Sequence, residues 1–184
     1  MGNNKFNGLR GAEGQFYVAA LLAAHNVHAT VTVGNASNVD LLASSETGSN
    51  AIAIQVKSKS ACSKNKKVGS KKERGKYWVV GKHPQIVSDA FWYAFVDLHD
   101  GGLKENKPLD VYFVPSRWVV AFCSGIAKMP YFFLKESIAV KMRNNTTDLV
   151  DYINGKKPPL PIPDDMLWLG TNQGLTTKQM LKRF

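Results

Sequence analysis

Several signatures are missing from this chain, and each absence removes a class of explanation. There are only two cysteines, Cys62 and Cys123, far apart and outside any CxxC or Cys/His cluster. A disulfide framework and a structural zinc site are therefore not expected. The longest apolar run, Val18 to Ala24, stops at His25 and Asn26, well short of a membrane span. The opening Met1-Gly2-Asn3-Asn4-Lys5 is polar and has no apolar signal region. The expected location is cytoplasmic, with no membrane partner. His25, His28, His83 and His99 are scattered without ligand or triad spacing, so a surface or capping role is expected of each. Ser116 has no GxSxG context, which argues against a hydrolase nucleophile. Gly8, Gly11 and Gly14 recur every third residue but do not make the GxGxxG dinucleotide fingerprint.

Acid is also scarce, with 14 Asp and Glu against 24 Lys and Arg. Much of the formal +10 sits in one place. Lys57 to Lys76 holds nine basic residues and a single acid, Glu73, leaving the rest of the chain close to neutral. A nearly neutral domain with one strongly basic segment suits a polyanion, and nucleic acid is the commonest. The bland alternative is a solvated lysine-rich loop kept for solubility. Otherwise the chain is ordinary: 184 residues and 44% hydrophobic, enough for one domain with its own core.

The patterning predicts a helix from Ala12 to His25, where Phe16, Ala19, Ala20 and Ala23 recur at helical spacing. Strands are expected at His28–Val33, Val39–Ser44 and Ala51–Lys57, with Asn35–Asn38 joining the first two. Glu46–Asn50 reads as the turn of an antiparallel pair. After a flexible lysine-rich loop, further strands are expected at Tyr77–Val80, Phe91–Leu98, Asp110–Val114 and Ile138–Met142. Helices are expected over Pro84–Ala90, from a Ser116 cap through Cys123, and from Thr146 or Thr147 through Ile153. Pro158, Pro159, Pro161 and Pro163 make an extended segment, and Thr176-Thr177-Lys178 starts a final basic helix. Residues 1–154 are read as the domain. Residues 155–184 are read as a Pro-rich extended segment and basic tail packed on that same domain. This order implies an α/β sandwich with a mixed sheet, since the regular βαβ alternation of a doubly wound fold is missing.

One constellation carries chemistry. On a strand over 51–57, Ile52, Ile54 and Val56 share one face, and Ala51, Ala53, Gln55 and Lys57 share the other. If the segment beginning at Val39-Asp40 pairs with it as a hairpin, Asp40 comes close to Gln55 and Lys57. A carboxylate, an amide oxygen and an ammonium then meet at one sheet edge. Hard oxygen donors suit Mg²⁺, and the ammonium can orient water or stabilise developing charge. Tyr77 and Trp78, just after the basic segment, are readable either as base-stacking aromatics or as a core strand.

The runs Gly11-Ala12-Glu13-Gly14-Gln15-Phe16-Tyr17-Val18-Ala19-Ala20, Asn35-Ala36-Ser37-Asn38-Val39-Asp40-Leu41-Leu42-Ala43 and Ile54-Gln55-Val56-Lys57 resemble a bacterial branch of the PD-(D/E)XK nuclease-like superfamily. The likeness extends to Trp78-Val79-Val80, Phe95-Val96-Asp97-Leu98 and Tyr112-Phe113-Val114-Pro115-Ser116, about the first two-thirds of the chain. It implies a restriction-endonuclease-like sandwich, a mixed central sheet flanked by helices. It also implies a metal-dependent endonuclease that hydrolyses DNA phosphodiesters with Mg²⁺ or Mn²⁺. Asp40 matches the metal-binding Asp, Gln55 the Glu/Gln position and Lys57 the catalytic lysine; the main-chain carbonyl of Val56 completes the implied metal set. Many members add a glutamate from the first helix. In this branch it falls at Gln15, with Glu13 two residues earlier and roughly 200° away around a helix. Either Glu13 substitutes through a shifted helix, or the site holds a glutamine where a carboxylate is usual.

The basic residues expected to grip backbone phosphates are Lys59, Lys64, Lys66, Lys67, Lys71, Lys72, Arg74 and Lys76. Two rival readings share the fold: a catalytically weak or inactive nucleic-acid-binding module, and a regulatory subunit whose basic segment meets an acidic protein. A homodimer is left open.

Overall fold

Ile52, Ile54 and Val56 alternate with Ala53, Gln55 and Lys57, and the alternation resolves into two apolar layers on opposite sides of one strand. In the computed structural model the strands are β1 (His28–Val31), β2 (Leu41–Ser44), β3 (Ala51–Lys59), β4 (Ser63–Val68), β5 (Lys71–Val79), β6 (Phe91–Asp97), β7 (Asp110–Pro115) and β8 (Tyr131–Lys135). The helices are α1 (Asn3–Ala23), α2 (Ser116–Gly125), α3 (Glu136–Met142) and α4 (Thr147–Ile153). The structure describes residues 3–33, 38–68, 71–81, 86–100, 102–125 and 131–163; the side chains of 3–7, 64–68, 71–73, 105, 124 and 125 lie outside that description.

The central sheet has five strands in the order β1-β2-β3-β6-β7. β2 and β3 form the expected antiparallel pair, with Leu41 opposite Ile54 and Ser44 opposite Ala51. β3 and β6 are parallel, which makes the sheet mixed, and β6 and β7 are antiparallel. One face packs Ile52, Ile54, Val56, Trp92 and Val96 against Val18 and Leu22 of α1 and Leu149 and Ile153 of α4. The other face packs Tyr93, Phe95 and Tyr112 against Trp118 and Phe122 of α2, Ile138 of α3, and a second sheet. That second sheet is β4-β5-β8. The architecture is the expected mixed α/β sandwich, a five-stranded mixed sheet flanked by helices.

Several expectations give way. α1 begins at Asn3, nine residues before the expected start, and takes in all three glycines. Gly14 earns its place by contact, because a Cβ there would overlap Ser58 Oγ and lie 3.0 Å from Ser58 Cβ. The basic segment is not a loop. It forms the β4–β5 hairpin, extending the strand expected at Tyr77–Val80 back to Lys71. Pairing of β5 with β8 drives this: Gly75 to Val79 lie opposite Lys135 to Tyr131, and ladder hydrogen bonds carry the pairing outward into polar sequence. Ile138–Met142 is helical, and the apolar run just before it, Tyr131–Leu134, supplies the strand. No helix forms over 86–90, and residues 82–85 lie outside the described residues. Ser116 begins α2 but does not cap it. Its Oγ donates to the Ser88 carbonyl at 2.9 Å and accepts from the Ser88 N–H at 3.1 Å. Thr146 likewise spends its hydroxyl elsewhere, on His25 Nε2 at 2.9 Å.

Leu160 and Ile162, within the proline-rich segment, pack on the core, and the Trp118 indole N–H donates to the Leu160 carbonyl at 3.0 Å. The connection at 34–37 and the expected final helix after Thr176 lie outside the described residues. No helix among the described residues is long and apolar enough to cross a membrane.

Candidate active site

Asp40 sits immediately before β2, where the β2–β3 register brings residue 40 beside Ile54–Val56. Its backbone N–H donates to the Ile54 carbonyl at 2.9 Å, and its own carbonyl accepts from Thr32 N–H at 3.0 Å. The carboxylate is held from two sides. Oδ2 accepts from the Val56 backbone N–H at 2.7 Å, and Oδ1 accepts from Gln15 Nε2 at 2.8 Å. Hydrogen bonds to an ionised acceptor are short and strong, so three elements converge on this one side chain: α1, the β2 entry and β3.

The close approach of α1 makes this possible. Because Gly14 lets the helix backbone lie against Ser58 and Val56, the next residue, Gln15, reaches Asp40. Glu13 is on the other side of the helix. Its Oε1 accepts from the Leu103 N–H at 2.6 Å, in the 3-10 turn Gly102–Glu105. Of the two alternatives, the structure therefore brings Gln15 to Asp40 and ties Glu13 to a turn elsewhere. Ser58, next to Lys57 and under Gly14, has a buried hydroxyl with no hydrogen-bond partner.

Gln55 and Lys57 fall on the opposite face of β3 from Ile54 and Val56, in register with Tyr93 and Phe95 of β6. Gln55 is only 8% exposed. Lys57 is half-buried, and desolvation lowers its pKa below the ordinary lysine value, while the Asp40 carboxylate opposes the shift. That opposition places the ammonium within electrostatic reach of Asp40. Backbone register thus puts positions 40, 55 and 57 at the junction of β2 and β3, and Gln15 reaches Asp40 there from α1.

The basic residues divide. Lys76 Nζ pairs with Asp97 Oδ2 at 2.8 Å, with Lys76 13% and Asp97 3% exposed, so this ammonium is committed internally. Lys59 lies over the Tyr77 ring, 3.5 Å from its centroid. Arg74 is exposed, and the side chains of Lys64, Lys66, Lys67, Lys71 and Lys72 lie outside the described residues. Trp78 is core: 1% exposed, its indole N–H donating to the Val96 carbonyl at 2.9 Å. Asp97 was not readable as an anchor in the sequence, because a lone acid ending an apolar strand carries no partner information. Both cysteines are free thiols, and burial pushes Cys123 up to about 12.

The donor set around Asp40 is suited to a hard divalent cation of the kind that keeps most of its own water. Each carboxylate oxygen uses one lone pair, Oδ1 on the Gln15 amide and Oδ2 on the Val56 N–H, and retains another. A half-turn of the Gln15 amide would offer oxygen in place of nitrogen. Charge is in short supply, however: among the described residues no group of three or more His, Cys, Asp or Glu gathers.

Comparison with known proteins adds the fold. A bacterial homing endonuclease, I-Ssp6803I, superposes with a TM-score of 0.50 at 14% identity, over 85% of this chain and 97% of that one. No family model matches the chain, and no curated protein matches it.

Proposed function

We propose that this protein is a metal-dependent nuclease of the PD-(D/E)XK type that hydrolyses DNA phosphodiester bonds. The observation that carries the reading is the clamped Asp40, held by Gln15 and the Val56 N–H beside the desolvated ammonium of Lys57. A carboxylate fixed within one geometry next to a poised cation is costly to assemble for structure alone, and perturbed groups of this kind concentrate at functional sites. The fold shared with an endonuclease raises the prior without assigning the chemistry.

In this reading Asp40, the Gln55 amide oxygen and the Val56 carbonyl would hold Mg²⁺ or Mn²⁺, with Gln15 completing the shell. The metal would supply an acidified water and neutralise charge at the phosphoryl group. Lys57 orients the attacking water and stabilises the charge that develops on the phosphate oxygens. Its partial desolvation strengthens that interaction by removing part of the water that competes for the ammonium. Glu13 is spent on Leu103 and takes no part. The basic residues of the β4–β5 segment other than Lys76 would hold backbone phosphates.

The test is cleavage of supercoiled plasmid with and without Mg²⁺ or Mn²⁺. Wild-type cleavage that needs the metal and disappears in both Asp40→Asn and Lys57→Met supports the reading. Metal-independent cleavage, or activity retained in either variant, refutes it. The lone carboxylate favours one alternative, a DNA-binding module on this fold without turnover. Tight duplex binding by a folded protein that never cleaves would select it.

A further inference from the structure

We infer that Lys59, held against the face of Tyr77, binds the nucleic-acid phosphate next to the one that is cleaved, one strand step from Lys57. This rests on the proposed DNA-cleaving function and adds to it a second fixed point for the substrate.

Positions 55, 57 and 59 share one face of β3, the face on which Tyr77 also packs. β2 pairs with β3 from Ser44–Ala51 to Leu41–Ile54, so residues 55–59 run on past the described end of β2. β6 keeps them in strand geometry. Its parallel pairing continues through Lys57–Phe95 to Lys59–Asp97, and the Leu98 N–H donates to the Lys59 carbonyl at 2.9 Å. Two residues of regular strand advance about 6.6 Å. Neighbouring phosphates of one nucleic-acid strand are separated by a similar step. With Lys57 at the scissile phosphate, position 59 is in range of the next one.

Lys59 also keeps its charge. The acid opposite it in register, Asp97, is already committed: Oδ2 takes Lys76 Nζ at 2.8 Å, and Oδ1 takes the His99 N–H at 2.9 Å. Among the described residues Lys59 forms no ion pair. Its ammonium instead sits 3.5 Å from the centroid of the Tyr77 ring and donates to the Ala61 carbonyl at 3.4 Å. Neither contact neutralises it. An ammonium has three donors, so with one on the ring and one on the carbonyl a third remains for an anion.

The seat is itself fixed. The Tyr77 N–H donates to the Cys62 carbonyl at 3.0 Å, and the Cys62 thiol donates to the Lys59 carbonyl at 3.1 Å. Ala61 holds a left-handed backbone, φ 52°, which disfavours any residue with a Cβ. Tyr131 packs edge-on to Tyr77, with centroids 6.2 Å apart. Tyr77 is thus a positioning residue for the Lys59 ammonium. A lysine present only to cover the ring with its apolar stem would be matched by methionine, and that difference is measurable.

The test uses the full chain and a short synthetic duplex whose cut position under Mg²⁺ or Mn²⁺ is mapped first. Copies of that duplex then carry one neutral methylphosphonate each, at successive positions on either side of the cut. One of these, at a phosphate adjacent to the cut, should slow wild type on the order of 10-fold. Lys59→Met keeps the stem over Tyr77 and should cut the unmodified duplex about as slowly. It should lose its sensitivity to that one methylphosphonate, while the others slow it as they slow wild type. Tyr77→Phe keeps the ring and should keep the sensitivity; Tyr77→Leu should shift toward Lys59→Met. Thermal unfolding confirms that each variant is folded, and Lys59→Met against Tyr77→Phe decides the matter if Tyr77→Leu is not. The inference is overturned if Lys59→Met or a folded Tyr77→Leu responds to every methylphosphonate as wild type does, or if the lost sensitivity lies away from the cut. Metal-dependent cutting in those cases leaves the nuclease standing. A duplex that wild type never cuts under either metal removes the nuclease, and the inference falls with it.

Discussion

Gln15→Glu places two carboxyl groups where an amide now donates to Asp40 Oδ1 at 2.8 Å. Two like charges at that separation repel by roughly 6 kcal/mol at an effective dielectric of about 20. The protein has a cheaper escape, which is to bind a proton. Protonating a carboxyl of ordinary pKa, about 4.3, costs about 4.4 kcal/mol at a pH of about 7.5, at 1.36 kcal/mol per unit. That figure caps the penalty, and rotation of the half-buried side chain toward solvent lowers it further. The metal-free variant should therefore lose about 2–4 kcal/mol of stability at neutral pH. The sign with pH follows from a carboxyl pair that holds its proton more tightly when folded. The loss is absent at low pH and grows as pH rises through the folded-state titration. A divalent cation reverses the effect, since it turns repulsion into shared ligation. At a hundred times its dissociation constant it should return about 2.7 kcal/mol. Urea unfolding at several pH values, with and without MgCl₂, measures all of this. A variant as stable as wild type at neutral pH, with no added response to Mg²⁺, would refute the placement of Gln15 against Asp40.

Four further outcomes follow from the same geometry. Asp40→Ala should cost about 1–3 kcal/mol, because it strips the Val56 N–H and the Gln15 amide of their acceptor, and Asp40→Asn should cost less by keeping one acceptor; thermal unfolding orders the two. Lys57 titrates lower in the folded state than its ordinary 10.5, so wild-type stability should rise with pH through the window below that value, and Lys57→Met should flatten the rise in a pH series of urea midpoints. Gly14→Ala should destabilise by about 1–3 kcal/mol through overlap with Ser58, and any Mg²⁺ response should weaken with it as Gln15 is pushed from Asp40; Gly11→Ala, in the same helix with nothing within 4 Å, is the control and should stabilise by about 0.5–1 kcal/mol. Asp97→Asn leaves the nearly buried Lys76 ammonium unpaired and should cost about 3 kcal/mol, with faster amide exchange at the base of β5.

How much of this was readable from residues alone depends on the range of the signal. The β2–β3 hairpin is local: period-two apolar runs on either side of a Gly-Ser-Asn turn specify both pairing and register, and the gathering of Asp40, Gln55 and Lys57 follows. The extension of β5 through Lys71–Lys76 is not local. It depends on β8, more than fifty residues downstream by chain order, and lysine and glycine have little strand preference of their own. Tyr131–Leu134 and Ile138–Met142 are both short apolar runs, and length and composition do not separate a buried strand from a short helix. Ser116 and Thr146 are good caps by type, but tertiary partners, Ser88 and His25, take their hydroxyls.

The choice between Glu13 and Gln15 shows how a local rule and a distant contact combine. Helical geometry alone says that the two residues lie on nearly opposite sides of α1, so only one can face a given site. It does not say which. The decision comes from Gly14, between them, whose missing side chain sets the face of α1 that presses on Ser58, and from the Leu103 N–H, which takes Glu13 on the far side. The helix is thus pinned across its width, with Gln15 bonded to Asp40 on one flank and Glu13 bonded to the 3-10 turn on the other. To bring Glu13 to the site, α1 would have to turn by nearly half a revolution, lose both hydrogen bonds and drive a side chain into Ser58. The shortage of carboxylates around Asp40 is therefore a property of the packing, which only a substitution at position 15 or 55 can change.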